Sequence, residues 1–599
     1  MAETKQIATL ILLTLLVGIS GLALVNYLPS LLEGNVVVNE YVVTLYPNGT
    51  LVEDYTYEVK VSNQYRMLFR SWDAPLSKNL LNRPYVQFLH AHAFSSEQLI
   101  VYMKDFEGSI WIEDRFRNDP QALGLVKTLA QPNEVGVLKP SRLTAGTYKV
   151  RYVFLLHPPL ECDEDLCHLN LQLASRHLTY RNVQLIIEDV DYSVAIYPRP
   201  PPEREVRDGS RAIFYGSSAK DDLLEVEILF KRDVLKAMNG YIRTVDNVKG
   251  ITTQANMLYL AQYKAFQLLR DAAKTLAILI PLVLAVLYVA FGREKRFVVP
   301  KYLSTIPNKE RKPWVVNLVF KGDAIDFDEN GFYATVLDLH MKGKIRLSSK
   351  DENMAIQILS QTSDDIYERR VLQFLKNVSK DEVVDTDSIK EFADDLTSGG
   401  RHGLKLFDLQ RELNYLMRKA ESAMASQFMV SGRKRILPIA LISILLLVTS
   451  FLAMLLLPNL SSTLTIAFVT SIIPATQSVI AVAFPSTLFG KWLGLSYKEK
   501  LEWESFKSLL SDLALIRKYA PDDLSMWGEW LVYGTALGVG DTVVKAMKEL
   551  NIQLPEANFA PHIPLLFMPV TVVGLPSGHG AGGGFGSGGG FGGGGAGTR

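Results

Sequence analysis

The sequence predicts a multi-domain integral membrane protein: an exported all-β, β-sandwich-like domain, about four transmembrane helices, a cytoplasmic α/β winged-helix-like module and a helical C-terminal module. Three observations carry this prediction. Four long apolar stretches are well separated, the residues between the first two read as many short β-runs, and the residues after the second and fourth read as amphipathic helices. The composition agrees, because 21% charged residues is too many for a chain held mostly in lipid and 48% hydrophobic too many for a disordered one. With 63 Lys and Arg against 63 Asp and Glu there is no cationic surplus for a polyanion, so no nucleic-acid partner is expected. Two cysteines can build neither a disulfide scaffold nor an all-thiolate zinc centre, and no cofactor is expected.

Residues 1–28 form a signal anchor or signal peptide, with an uncharged run from Ile7 to Leu28. About 20 apolar residues at 1.5 Å each cross the hydrocarbon core. That run is longer than a usual signal-peptide core and no clear small-residue cleavage site follows, which favours an uncleaved anchor. Further spans are expected at 271–291 (apolar from Thr275 to Phe291), 436–457 and 464–489, the last kinked at Pro474 and Pro485. Basic collars flank the cytoplasmic side of spans. GREKRFVVPKYLSTIPNKERK follows the second, GRKR precedes the third and KWLGLSYKEK follows the fourth, whereas Pro29–Thr50 holds no Lys or Arg. The predicted topology is multi-pass in the cell membrane, with the N-terminus inside, residues 29–270 outside, 292–435 inside, and 490–573 and the tail 574–599 inside.

In the exported region 29–270, Asn48-Gly49 between two β-rich runs predicts a hairpin. In its second run Leu51, Tyr55, Tyr57, Val59 and Val61 share one face at period two. Further β-rich runs such as LIVYM, TYKVRYVFLL and LLEVEILF argue for a sandwich-like fold. Cys162 and Cys167 bracket the acidic loop CDEDLC, where a disulfide or a plain loop is favoured over a metal site using Asp163, Glu164, Asp165 and His168. His90 and His92 lie two apart on a strand without a third ligand marked by spacing, so no metal is assigned to them. Asn48-Gly-Thr is a glycosylation sequon in a turn.

Inside, Asp328 is expected to cap the helix GFYATVLDLHMKG; a calcium loop starting at Asp326 fails because Leu337 stands where the twelfth-position Glu belongs. KIRLSS and MAIQILS then form a two-stranded wing, followed by the helix DDIYERRVLQFLKNV. Pro313–Gly432 carries 15 Lys and Arg against 20 Asp and Glu, which opposes DNA contact by this module. In 490–573, Trp503, Phe506 and Leu510 and then Trp527, Trp530 and Leu531 recur at helical spacing, a pattern that reads as core. Asp541 is expected to cap the last helix.

The motif Trp503-x-x-Phe506, Asp512, then Trp527-x-x-Trp530-Leu-Val-Tyr533-x-x-Ala536-Leu-Gly-Val539 resembles the YciQ-like family of predicted membrane proteins. The hairpin PNGTLVEDYTYEV with Tyr65-Arg66 and the tail GHGAGGGFGSGGGFGGGGAGTR are similar to that family's opening and ending. The resemblance implies an exported β-rich domain, cytoplasmic segments, paired spans and a glycine-rich tail; it implies no reaction and no catalytic residues.

Phosphate-loop, zincin and nucleophile-elbow motifs are absent from the sequence, and the span interiors hold no Asp, Glu, Lys, Arg or His. The expected function is therefore a non-enzymatic binding or scaffold protein with the lipid bilayer and an envelope or protein partner, and a homo-oligomer is compatible with it. The rival is an envelope hydrolase using carboxylates near Cys162 or at Glu203 and Glu205. The tail 574–599 is expected to be a disordered tether or weak self-association segment.

Overall fold

Short β-propensity runs alternating with turn residues fold into sheets wherever their apolar faces can be buried together. The computed structural model describes residues 2–31, 33–94, 98–322, 324–350, 353–385, 403–419, 422–457, 461–520, 523–571 and 591–599. They divide into two compact units, one β-rich (18–276, 444–474 and 583–599) and one mainly helical (1–17, 277–443 and 475–582).

The β-rich unit begins with the hairpin Val36–Leu45 and Thr50–Val59, paired antiparallel from Leu45 opposite Leu51 to Val36 opposite Val59 with a bulge between Val38 and Glu40. Its turn needs glycine: Gly49 has φ +84°, and a Cβ there would meet the Leu156 carbonyl at 2.9 Å. Both strands belong to an eight-stranded sheet, beside a six-stranded and a five-stranded one. One core takes side chains from all three, among them Tyr41, Tyr55, Phe154, Leu171, Val137 and Leu68. The region expected to be β-sandwich-like is β-rich, with three sheets around this core. Val61, expected on the inward face, lies past the strand end and is 39% exposed.

The helical unit joins what the sequence separates. Trp314, Phe332 and Leu372 lie before the third apolar helix and Trp503, Trp527 and Trp530 after the fourth, yet all share one core. The described residues of 292–435 and 490–573 therefore share one core. Ion pairs tie them as well, with Arg311 to Glu499 at 2.9 Å and Lys309 to Glu529 at 2.8 Å. Asp328 caps the helix Glu329–Met341, accepting from the Asn330 amide. The hairpin Ile345–Lys350 and Asn353–Ile358 follows, then the helix Ile366–Val378, and a third strand, Val383–Asp385, which the sequence reading lacked. Asp541 does not cap. It lies in the first turn of Gly540–Glu549, where its charge faces the positive end of the helix dipole, and two more helices follow it.

Among the described residues, four helices are long and apolar enough to cross a membrane: Glu3–Leu28, Val248–Gly292, Arg433–Leu456 and Leu464–Ala483. The last is shorter than expected, because Pro485 restricts the residue before it and Ser486–Phe489 forms a separate 3-10 turn. Pro474 stays inside its helix. Gln477 donates from Nε2 to the carbonyls of Thr14 (2.8 Å) and Ala277 (3.0 Å), and Ser478 bonds Ser443 at 3.0 Å. Such bonds between apolar helices replace the hydration that lipid cannot offer.

Glu368 is fully buried in the helical unit beside Lys312 (2.7 Å), Lys342 (3.4 Å) and Lys344 (3.5 Å). Burial by itself favours the neutral acid, but hydrogen bonds from Lys312 and Ser363 and the charges of Lys342 and Lys312 bring its pKa down from 4.5 to about 2. A carboxylate depressed on folding stabilises above its unfolded pKa and loses that contribution as pH falls through the folded one. The helical unit is therefore expected to lose stability between about pH 4.5 and about pH 2, and Glu368→Gln to flatten that part of the profile. Denaturation midpoints across this window, with an unchanged acid slope in the variant, would remove Glu368 from the account.

Candidate functional site

The strand Thr50–Val59 alternates strictly between partly exposed and buried positions. Leu51, Tyr55, Tyr57 and Val59 point inward, and the same period places Glu53 with them. A buried carboxylate needs a partner. Arg70, on the strand Met67–Ser71 of the five-stranded sheet, supplies it: Nε lies 3.0 Å from Oε2, and both side chains are fully shielded from solvent. Tyr41 donates to Glu53 Oε1 at 2.7 Å and Tyr55 to Oε2 at 3.3 Å. The guanidinium lies 3.6 Å from the Trp72 ring centroid and donates to the Leu173 carbonyl at 2.9 Å. Burial works against the Arg70 charge, but Glu53 beside it holds the pKa above the ordinary value, while burial and then Glu53 push the Tyr41 and Tyr55 hydroxyls up. The phenols are hence hydrogen-bond donors, not bases.

Arg70 also reaches the glycine-rich segment: Nη1 donates to the Gly593 carbonyl at 2.8 Å, as well as to the Ser71 carbonyl. Phe591–Gly592 and Gly595–Thr598 are strands. Phe591 and Gly592 pair with Leu171 and Gln172, and Gly595–Thr598 pairs antiparallel with Leu68–Ser71. Between them the Gly594 amide donates to Asp73 and to Ser175 Oγ, both at 3.0 Å, and the Ala596 amide to the Tyr180 hydroxyl at 2.9 Å. At the far end Arg599 pairs with Glu134 at 2.6 Å and stacks over Phe69 at 4.2 Å. Burial pushes the Glu134 carboxyl up, against the pull of Tyr102 and Arg599.

The tail was expected to be disordered and cytoplasmic. Residues 574–590 lie outside the described residues, but 591–599 contribute two short strands, Phe591–Gly592 and Gly595–Thr598, to the β-rich unit. Placing 29–270 outside and the whole tail inside cannot both hold for this structure. The charge rule speaks only for residues close to the spans, and this segment is about a hundred residues beyond the last one.

The other marked residues do not converge. Cys162 and Cys167 are disulfide-bonded. Asp163 accepts from the amides of Asp165, Leu166 and Val248, which lower its pKa. His168 faces Glu227 at 3.2 Å and Glu161 at 3.5 Å. Among the described residues no group of three or more His, Cys, Asp or Glu side chains is placed to hold a metal. His90 and His92 are exposed on the strand Tyr85–Phe94. Asn48 is exposed, its Oδ1 accepting from the Thr50 amide at 2.9 Å. Glu205 pairs with Arg207 at the surface. Glu203 and Glu225 line one cleft of about 90 Å³ with Pro200–Pro202 and Tyr215, and Glu225 is already paired with Arg199 at 2.8 Å.

Sequence, fold and site together define a membrane protein with a β-rich region and a helical region of its own core. The chain belongs to a predicted membrane protein family, DUF2207: residues 37–230 match its N-terminal domain and residues 299–547 its C-terminal domain. No curated protein matches the sequence. Among solved structures, the chain is similar in part to an M1 zinc metallopeptidase from Deinococcus radiodurans, at 10% identity and a TM-score of 0.19 over 32% of this chain and 42% of that one. A mutant two-domain M1 zinc metallopeptidase bound to L-tryptophan gives 11%, 0.18, 33% and 43% respectively. This chain thus spans less than half the length of those enzymes.

Proposed function

We propose that the protein is a non-enzymatic, YciQ-like binding or scaffold protein of the cell membrane, displaying its β-rich, sandwich-like unit outside and coupling it to a winged-helix-like helical unit inside. One observation carries the reading. The helix Val248–Leu287 begins in a polar grip of the β-rich unit and ends with the composition of a membrane span. In that grip Asn256 donates to Glu227 at 2.8 Å and accepts from Arg199 at 2.8 Å, while Arg199 also pairs with Glu225 and Glu227. A charged lock of this kind on a stiff helix transmits a change in the β-rich unit along the helix. The basic collars beside the spans support a reading with residues 292–435 inside and 29–270 outside.

The two cysteines are bonded to each other, so introduced thiols report cleanly. A cysteine at exposed Ser217 is expected to react with a membrane-impermeant maleimide on intact cells, and one at exposed Ser508 only after lysis. The reverse pattern, or equal labelling of both on intact cells, overturns the display proposed here.

Of the carboxylates named for the hydrolase reading, near Cys162 or at Glu203 and Glu205, Glu203 lines a cleft, together with Glu225. Its small volume and the Arg199–Glu225 pair favour binding over acid/base work there.

A further inference from the structure

We propose that the β-rich unit carries a recognition site for a glycine-rich strand of the pattern Phe-Gly-Gly-Gly-Gly-Ala-Gly-Thr-Arg, and that the chain's own Phe591–Arg599 is the ligand held in it. The inference rests on reading this unit as a binding module. Two fully buried charged side chains address the strand: Arg70 bonds the Gly593 carbonyl and Glu134 the Arg599 guanidinium. Main-chain bonds come from both sides. Ser175 and Arg176 donate to Gly594 (2.7 and 3.0 Å), Leu178 to Ala596 (3.0 Å), and Asp73 and Ala74 to Gly592 (2.8 and 2.9 Å). Strand addition of this sort derives affinity from the backbone and selectivity from the side-chain slots.

The slots select glycine. A Cβ on Gly594, at φ +77°, would run into the Ser71 carbonyl, and one on Gly597 into the Phe69 ring. A Cβ on Gly595 would lie 2.5 Å from that of His177. Ala596 is the exception, its methyl buried in the core of the unit. These slots also fix the register. The sequence carries the same Phe-Gly-x-Gly-Gly pattern six residues earlier, from Phe585, but sliding that copy into the site would put Phe591 where Gly597 must be. The low-complexity composition therefore contains one specific nine-residue message.

The test uses the full chain truncated after Gly590, in detergent micelles, with a fluorescently labelled peptide of sequence FGGGGAGTR. Saturable binding at one peptide per chain is expected, weakened by about tenfold or more in a Gly597→Val peptide. An Arg599→Glu peptide should weaken likewise, because it sets a second carboxylate against Glu134. No saturable binding, or equal binding of the Gly597→Val peptide, overturns the proposal. Loss of hydrogen-exchange protection throughout the β-rich unit on truncation also overturns it, since the segment would then be a structural strand rather than a ligand. Independently, Gly597→Val in the untruncated chain should expose the amides of Met67–Ser71 and Ser175–Leu178 to exchange while the eight-stranded sheet stays protected; unchanged protection refutes the site. Peptide binding in micelles is read separately from the labelling of Ser217 and Ser508 on cells, so the site can fail while the display reading stands.

Discussion

Arg70→Ala is expected to destabilise the β-rich unit by about 3–5 kcal/mol, the usual cost of leaving a buried charge without its partner. The orphan would be Glu53, fully buried and then bonded only by two tyrosine hydroxyls. The carbonyls of Leu173 and Gly593 would lose a donor as well. Replacing both members together, as Glu53→Leu with Arg70→Met, should cost much less, because well-packed apolar residues commonly substitute for a buried pair. Denaturant unfolding of the chain in micelles, followed by tyrosine near-ultraviolet dichroism, measures both. The stacked Tyr41 and Tyr55 rings, with centroids 4.7 Å apart, report directly on this core. A single variant within about 1 kcal/mol of the parent would mean that Glu53 takes up a proton or finds water, and that the pair is not what organises the sheets.

The second large effect is expected in the helical unit, where Trp530→Ala should cost about 3–5 kcal/mol. The indole is fully buried against Trp527 and Phe506, at centroid distances of 5.4 and 6.4 Å. Its Nε1 donates to the Ser304 carbonyl at 3.2 Å, which ties the helix Leu524–Ala536 to residues more than 200 positions earlier. Trp530→Phe should retain most of the packing and lose chiefly that hydrogen bond, about 1 kcal/mol. Thermal unfolding compares the two. Equal losses from Ala and Phe would show that the hydrogen bond rather than the ring volume dominates. If 292–435 and 490–573 folded as separate modules, Trp530→Ala would leave hydrogen-exchange protection of the helix Pro313–Phe320 unchanged; the shared core predicts that it falls.

Glu53 shows how close the sequence came to the site. Leu51, Tyr55, Tyr57 and Val59 mark the inward face at period two, and Glu53 occupies the missing place in that series. An acidic residue on a core face is a signal that it has a partner, but nothing local says which one. Arg70 lies 17 residues away on another sheet, across a contact that only folding creates. The tail was less legible. Its glycines fit the low backbone specificity of a linker equally well, because what distinguishes the two is external: the Phe69 ring, the Ser71 carbonyl and His177 standing where side chains would go.

Local chemistry suffices for other features. The Asn48-Gly49 turn, the Asp328 cap and the aromatic spacing of Trp503, Phe506, Trp527 and Trp530 are each set within a few residues, and each was readable. Asp541 was misread because Gly540 already has helical backbone, so the cap position falls on Val539.

By itself the sequence determined four membrane-length apolar helices, a β-rich region between the first two, helical segments beyond, and the family to which the chain belongs. Hydropathy, strand period and capping act over one to three turns of chain, so they survive without tertiary context. Only the tertiary structure decided that two separated segments make one core, that Glu53 meets Arg70, and that a run of glycines is a fitted strand. Each of these is a contact between residues far apart in sequence, and its free energy comes from excluding water on both sides at once.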